Sequence, residues 1–248
     1  MTDDGTRIFS GDHLRATIFR PMQPRLAVTF TFREKGRSDF PAVHAINHIK
    51  DRGFAQLSIT SRRNDWFINP DTAGLENALR TLSPAYKSIH MLGFSMGGYG
   101  AIRFAQAVGA QYATLISPQF SIHPDVVPTD RRFISDAAGF DRDAGDLTQV
   151  RVADLQGVIA VDPFRPLDLM NAQMIQHVFP KLKLARLAFG GHPATGVLRR
   201  ANRAGIIQRV ALDVPPRPAP VIALHRAARA NDSGYHKERA EYVLNRAI

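Results

Sequence analysis

The chain has 248 residues, 44% of them hydrophobic, and no cysteine; that suits one α/β domain with a substantial core and excludes disulfides, thiolate metal sites and a cysteine nucleophile. No apolar run reaches the roughly 18 residues of a membrane span, and the polar start Met1-Thr2-Asp3-Asp4-Gly5 does not read as a signal peptide, so a cytoplasmic location is expected. The formal net charge is +10, but the basic residues fall in scattered pairs (Arg62-Arg63, Arg131-Arg132, Arg199-Arg200) without interleaved aromatics, so nucleic acid is not the expected partner.

Residues 6–10 and 13–19 flank Gly11-Asp12 and read as a hairpin of two short strands. Residues 26–32 follow as a strand rich in β-branched and aromatic side chains. Phe40, Val43, Ile46 and Ile49 recur at helical spacing, which predicts a helix over 40–50 closed by Gly53. Residues 54–60 form a further strand. Asp71 is placed to cap a helix that runs to about Leu82, with Pro84 beyond its end. Residues 88–94 make a strand, a helix continues from Ser95 to about Val108, and residues 112–117 make another strand. The alternation lapses over 119–156, an irregular, cap-like insertion. It resumes with a strand at 157–162, a helix at 167–178 and a last strand at 183–189. The tail from about Thr195 reads as helical, broken by Pro215-Pro216-Arg217-Pro218-Ala219-Pro220, so residues 211–248 form a C-terminal helical extension. Strands alternating with helices imply a mainly parallel, doubly wound sheet covered on both faces, in one domain over 1–248.

Within that pattern, Gly93-Phe94-Ser95-Met96-Gly97 is a G-x-S-x-G motif standing where a strand turns into a helix. Such a turn holds the serine hydroxyl clear of the sheet in a strained backbone conformation. A serine hydroxyl needs a base within hydrogen-bond reach, and the base needs an acid to orient it. Asp162 ends the apolar strand Val158-Ile159-Ala160-Val161, and His192 follows the last strand in Phe189-Gly190-Gly191-His192-Pro193, so Ser95, Asp162 and His192 arrive in the chain order expected at strand ends. Asp162-Pro163 also reads as a plain turn opener, and Asp168 competes for the acid's role, slightly further into the same loop. His225 and His236, in the helical tail, read as surface residues and stand second for the base. Two backbone N–H groups are needed for an oxyanion: Met96, directly after the nucleophile, and Phe32 in the loop after the third strand, with Thr31 and Arg33 as its neighbours.

GFSMGGYGA resembles the nucleophile elbow of bacterial α/β-hydrolase-fold serine hydrolases of the esterase-like kind. IAVDP resembles their acid loop and FGGHP their histidine loop, and the likeness covers roughly residues 10–210. The resemblance implies the α/β-hydrolase fold, with Ser95 as nucleophile, Asp162 as acid and His192 as base. Two departures stand out. The loop after the third strand lacks the His-Gly many relatives carry there, and 119–156 is short where they often carry a helical lid.

The expected activity is cleavage of an ester, thioester or amide of a small acyl substrate through an acyl-enzyme. A catalytically silent scaffold of the same fold and a polyanion-binding protein are the competing readings. No cofactor is expected: no G-x-G-x-x-G opens a first βαβ unit, and His44 and His48 lack the glutamate of a metal helix, so no metal is expected either.

Overall fold

The computed structural model describes residues 4–152 and 154–245. Residues 1–3 of the polar start, Ala153 within the irregular segment and residues 246–248 of the expected C-terminal helix lie outside the described residues. One sheet is built from β1 (Thr6–Ser10), β2 (Leu14–Phe19), β3 (Arg25–Phe30), β4 (Ala55–Ser61), β5 (Ser88–Phe94), β6 (Tyr112–Ile116), β7 (Gln156–Val161) and β8 (Leu182–Arg186). Their order is β1-β2-β4-β3-β5-β6-β7-β8. The β1–β2 and β2–β4 pairs are antiparallel and the other five are parallel.

The central strands are near-continuous apolar runs because helices cover both faces. On β7 the two-residue alternation is visible directly: Ile159 and Val161 face one core, Val158 and Ala160 the other. The first core packs against α2 (Thr72–Leu82), α3 (Met96–Arg103), α4 (Ala105–Val108) and α6 (Pro166–Val178), which contribute Leu79, Tyr99, Val108 and Ile175. Trp66, Phe67 and Phe104 are fully buried there, each contributing about 1.5–3 kcal/mol by removal from water. The second core packs against α7 (Gly196–Arg200), α8 (Gly205–Val210), α9 (Pro218–Arg229) and α10 (Ser233–Leu244), through Leu198, Ile207, Val221 and Tyr235. Two short helices complete the set, α1 (Asn47–Asp51) and α5 (Ile134–Ala137).

Three expectations are corrected. The helix over 40–50 shrinks to α1, because the backbone of the preceding residues is claimed from outside: the buried Gln56 side chain accepts from Ile46 N (2.7 Å) and donates to His44 O (3.1 Å). Asp71 does not cap α2; its carboxylate accepts from His13 N (2.6 Å) and Leu14 N (3.0 Å) and so fastens the first hairpin to that helix. The helix after Ser95 breaks at Phe104, whose φ of −96° and ψ of 0° lie outside helical values, before α4 ends on left-handed Gly109. The 119–156 segment holds α5 and a 3₁₀ turn at Leu147–Gln149, and sends Phe120, Phe133, Phe140 and Leu147 into the first core.

Candidate active site

Ser95 stands between β5 and α3 with φ 49° and ψ −119°, a backbone conformation that side chains rarely adopt. The turn is held by Ser95 N donating to Ile116 O (2.8 Å) and by Gly98 N donating to Ser95 O (2.8 Å). A Cβ at Gly93 would land on the Gly97 carbonyl, and one at Gly97 would stand 2.9 Å from Thr31 O. The two glycines therefore let the elbow close on itself and on the loop after β3.

His192 reaches the serine as the sequence order anticipates, with Nε2 3.0 Å from Ser95 Oγ. Its other nitrogen, Nδ1, lies 2.8 Å from Asp168 Oδ2. A carboxylate only accepts, so Nδ1 carries the proton and the Nε2 lone pair faces the serine. The expectation that Asp162 holds the imidazole is corrected here. Asp162 Oδ1 accepts from Phe164 N and Phe189 N (both 3.0 Å) and Oδ2 from Gly191 N (2.9 Å), so its oxygens are spent on backbone. It opens the turn after β7 and ties that turn to the histidine loop, while the buried carboxylate of Asp168, in the first turn of α6, meets the ring.

Asp168 lies in the first turn of α6, fully buried, on an inward stripe with Asn171, Ala172 and Ile175. Its Oδ1 takes a hydrogen bond from Arg132 Nη1 at 2.5 Å. Arg132 also donates through Nε (2.8 Å) and Nη2 (2.7 Å) to Asp130, and Asn171 Nδ2 donates to the same Asp130 (3.0 Å). Burial alone would raise the Asp168 carboxyl; the bonds and charges of His192 and Arg132 outweigh it and hold it below the ordinary carboxylate range. Arg132 and Asp130 belong to the irregular segment, which thereby holds the Asp168 carboxylate in place.

A further neighbour of Ser95 is Gln119, completely buried, whose Oε1 lies 3.2 Å from Ser95 Oγ while its Nε2 donates to Ser117 O at 3.1 Å. The serine proton thus has two acceptors within reach. Ser117 Oγ accepts from Ala194 N (3.0 Å) and anchors the far side of the histidine loop.

Met96 is the first residue of α3, so its N–H has no partner within the helix. Phe32 is 55% exposed and lines the cavity over Ser95, and its carbonyl accepts from Arg37 Nη2 (3.1 Å). Thr31 N donates to Ile59 O (3.1 Å), which removes it as an alternative donor. His225 is buried, not a surface residue: its Nε2 lies 3.0 Å from Ala188 O, and burial lowers its pKa. His236, exposed, lies 3.1 Å from Ala230 O. Among the described residues Ser95 Oγ is bonded to Gln119 and His192 and to neither of these two. His48 is engaged by Arg209 Nε (3.2 Å), and among the described residues no group of three or more His, Asp or Glu side chains could hold a metal. Among the same residues no helix is long and apolar enough to cross a membrane.

The cavity over Ser95 measures about 650 Å³. Phe32, Phe94 and Phe133 line it together with Arg33, Arg165, Arg199 and Arg200.

No family model and no curated protein matches the chain. Solved structures do. The capsule O-acetyltransferase of Neisseria meningitidis serogroup A aligns at TM-score 0.58 and 14% identity, over 82% of this chain and 95% of that one. An esterase of Pyrobaculum calidifontis aligns at 0.55 and 14%, over 84% and 82%. The fluorophosphonate-binding serine hydrolase FphF of Staphylococcus aureus aligns at 0.53 and 13%, over 85% and 98%. Together with the strand order, these likenesses give the chain the α/β-hydrolase fold.

Proposed function

We propose that this protein is a serine acyl hydrolase that cleaves an ester, thioester or amide through an acyl-enzyme on Ser95, His192 and Asp168. The observation that carries the reading is the continuous contact from Ser95 Oγ to His192 Nε2 (3.0 Å) and from His192 Nδ1 to Asp168 Oδ2 (2.8 Å). In the first half-reaction Ser95 Oγ bonds to the acyl carbon while its proton passes to Nε2. The C–O, C–S or C–N bond then breaks, and His192 returns the proton to the leaving atom. Asp168, kept ionised by its bonds and charges with His192 and Arg132, stabilises the imidazolium between these two transfers. The Met96 and Phe32 N–H groups are the donors proposed for the oxyanion, each worth about 2.7–4 kcal/mol in comparable sites. Water, activated by the same histidine, then releases the acid.

A fluorophosphonate should label the protein at Ser95, and 4-nitrophenyl acetate should be cleaved. Ser95→Ala should abolish both while leaving the fold intact, since the change removes one hydroxyl and no core volume. Folded wild-type protein that neither labels nor cleaves would favour the silent scaffold instead. The likeness to an O-acetyltransferase motivates a second reading, in which an alcohol replaces water as the acyl acceptor. Faster turnover and ester formation on adding a small alcohol would favour it.

A further inference from the structure

The charges around the cavity over Ser95 are not those of an average part of this basic surface. Arg33, Arg165, Arg199 and Arg200 line it, against one acid, Glu238. The cavity beside α2 and α4 shows the contrast: its arginines, Arg80 and Arg103, face Glu76, Asp143 and Asp146. Two of the four arginines over Ser95 are already neutralised from outside the cavity, Arg33 by Asp136 (2.5 Å) and Arg200 by Asp232 (2.9 Å). Arg165 and Arg199 have no carboxylate partner within 4.0 Å among the described residues. Two exposed guanidiniums are thus left beside a nucleophile, with Glu238 the only acid among the described residues that lines the same space.

Their place relative to the triad decides which part of a substrate they meet. Arg165 immediately precedes α6, and its Nη2 lies 3.9 Å from where a Cβ on Gly191 would stand, beside His192. Arg199 lies on α7, which directly follows the histidine loop. His192 has to face the leaving atom to protonate it, so groups on the histidine side meet the leaving group, whereas the oxyanion lies toward Met96 and Phe32. The apolar side chains of Phe32, Phe94 and Phe133 remain for the acyl part.

We infer that the substrate is an ester or thioester whose alcohol or thiol portion carries an anionic group, a phosphate or a carboxylate, held by Arg165 and Arg199. This rests on the acyl-hydrolase reading. A planar guanidinium offers paired donors to either anion. The chemistry balances without another reactant. The acyl carbon exchanges its bond to the leaving oxygen or sulfur for one to Ser95 Oγ, the serine proton leaves on the anionic alcohol or thiol, and water later hydrolyses the acyl-serine.

The test compares three acetates that differ only in the leaving group: phenyl acetate, 3-carboxyphenyl acetate and 3-phosphonooxyphenyl acetate. The reading is the ratio of kcat/KM for each anionic ester to that for phenyl acetate. In wild type at low salt that ratio should exceed roughly 10, a partly exposed charge-assisted contact being worth about that factor. It should fall toward 1 in Arg165→Gln, Arg199→Gln and the double variant, and also with rising salt. Arg80→Gln, in the balanced cavity, should leave it unchanged. The larger of the two anionic ratios identifies phosphate or carboxylate. Wild type that cleaves phenyl acetate with no anionic preference, or a preference that survives the double variant, overturns the inference and leaves the hydrolase reading standing. Folded wild type that cleaves none of the three and takes no fluorophosphonate overturns both.

Discussion

Arg132 and Asp168 form an ion pair behind the histidine: Nη1 meets Oδ1 at 2.5 Å, while Oδ2 of the same carboxylate meets His192 Nδ1 at 2.8 Å. One oxygen is thereby fixed by a guanidinium and the other is left for the imidazole. The guanidinium is itself anchored through Asp130, which Asn171 holds from α6. The Asp168 carboxylate is thus held from both the irregular segment and its own helix.

Asp168→Asn should therefore lower kcat for 4-nitrophenyl acetate by about 10³- to 10⁴-fold, as loss of the acid does in triads generally. Asp162→Asn should act differently. It loses an acceptor for the Phe189 or Gly191 amide, which costs about 1–3 kcal/mol of stability and a smaller share of activity. Kinetics and urea unfolding on both variants check the assignment. A greater loss of turnover in a well-folded Asp162→Asn would reverse it.

Arg132 is bonded to Asp168 and does not line the cavity over Ser95, so in the proposed mechanism it is a positioning residue. Arg132→Gln should lower kcat by roughly 10-fold with KM changed less than about twofold. Arg132→Lys should recover part of the loss, because an ammonium keeps the charge but not the fork that spans Asp130 and Asp168. Loss of stability in both variants with no recovery of kcat by lysine would reduce the residue to a structural one.

Ser95 and His192 are legible as candidates because both depend on local signals, Gly-x-Ser-x-Gly at a strand end and Gly-Gly-His-Pro after the last strand. Asp162 reads from the sequence as the partner of the imidazole because a carboxylate at a strand end has two uses, and here it is consumed by three backbone amides. The corrective signal lay in periodicity: Asp168, Asn171, Ala172 and Ile175 share the inward stripe of α6, and an acid on a buried stripe requires a partner. The sheet was readable from its apolar runs. The residues before α1 were not, because a buried side chain distant from them, Gln56, supplies their hydrogen bonds in place of a helix. Gln119 and Arg132 carry no sequence motif at all; only folding the irregular segment onto the site brings them there.

Gly97→Ala tests the elbow's contact with the loop after β3. The added Cβ would stand 2.9 Å from Thr31 O and 3.1 Å from Phe30 O, so the loop that bears Phe32 must shift. The expected outcome is a stability loss of about 1–3 kcal/mol and a kcat loss of roughly 10- to 10²-fold, with fluorophosphonate still attached at Ser95 but more slowly. An unchanged kcat would remove Phe32 from the oxyanion site.

His90 gives the fold a pH dependence separate from the chemistry. It is buried on β5 between Phe54 and Tyr112, with ring centroids 5.1 and 4.7 Å away. Nδ1 lies 3.0 Å from Ala211 O, and since a carbonyl only accepts, the ring donates there; Nε2 has no partner among the described residues. Burial lowers its pKa from 6.5 to about 4. Between those values the unfolded chain binds a proton that the folded one refuses, so stability falls as the pH drops from about 6.5 toward about 4 and this contribution levels off below. The expected loss is about 2–3 kcal/mol across that window. Urea unfolding at pH 7 and pH 4.5 should show a smaller drop for His90→Leu than for the wild type. An equal drop in both would mean that the pH dependence has another source.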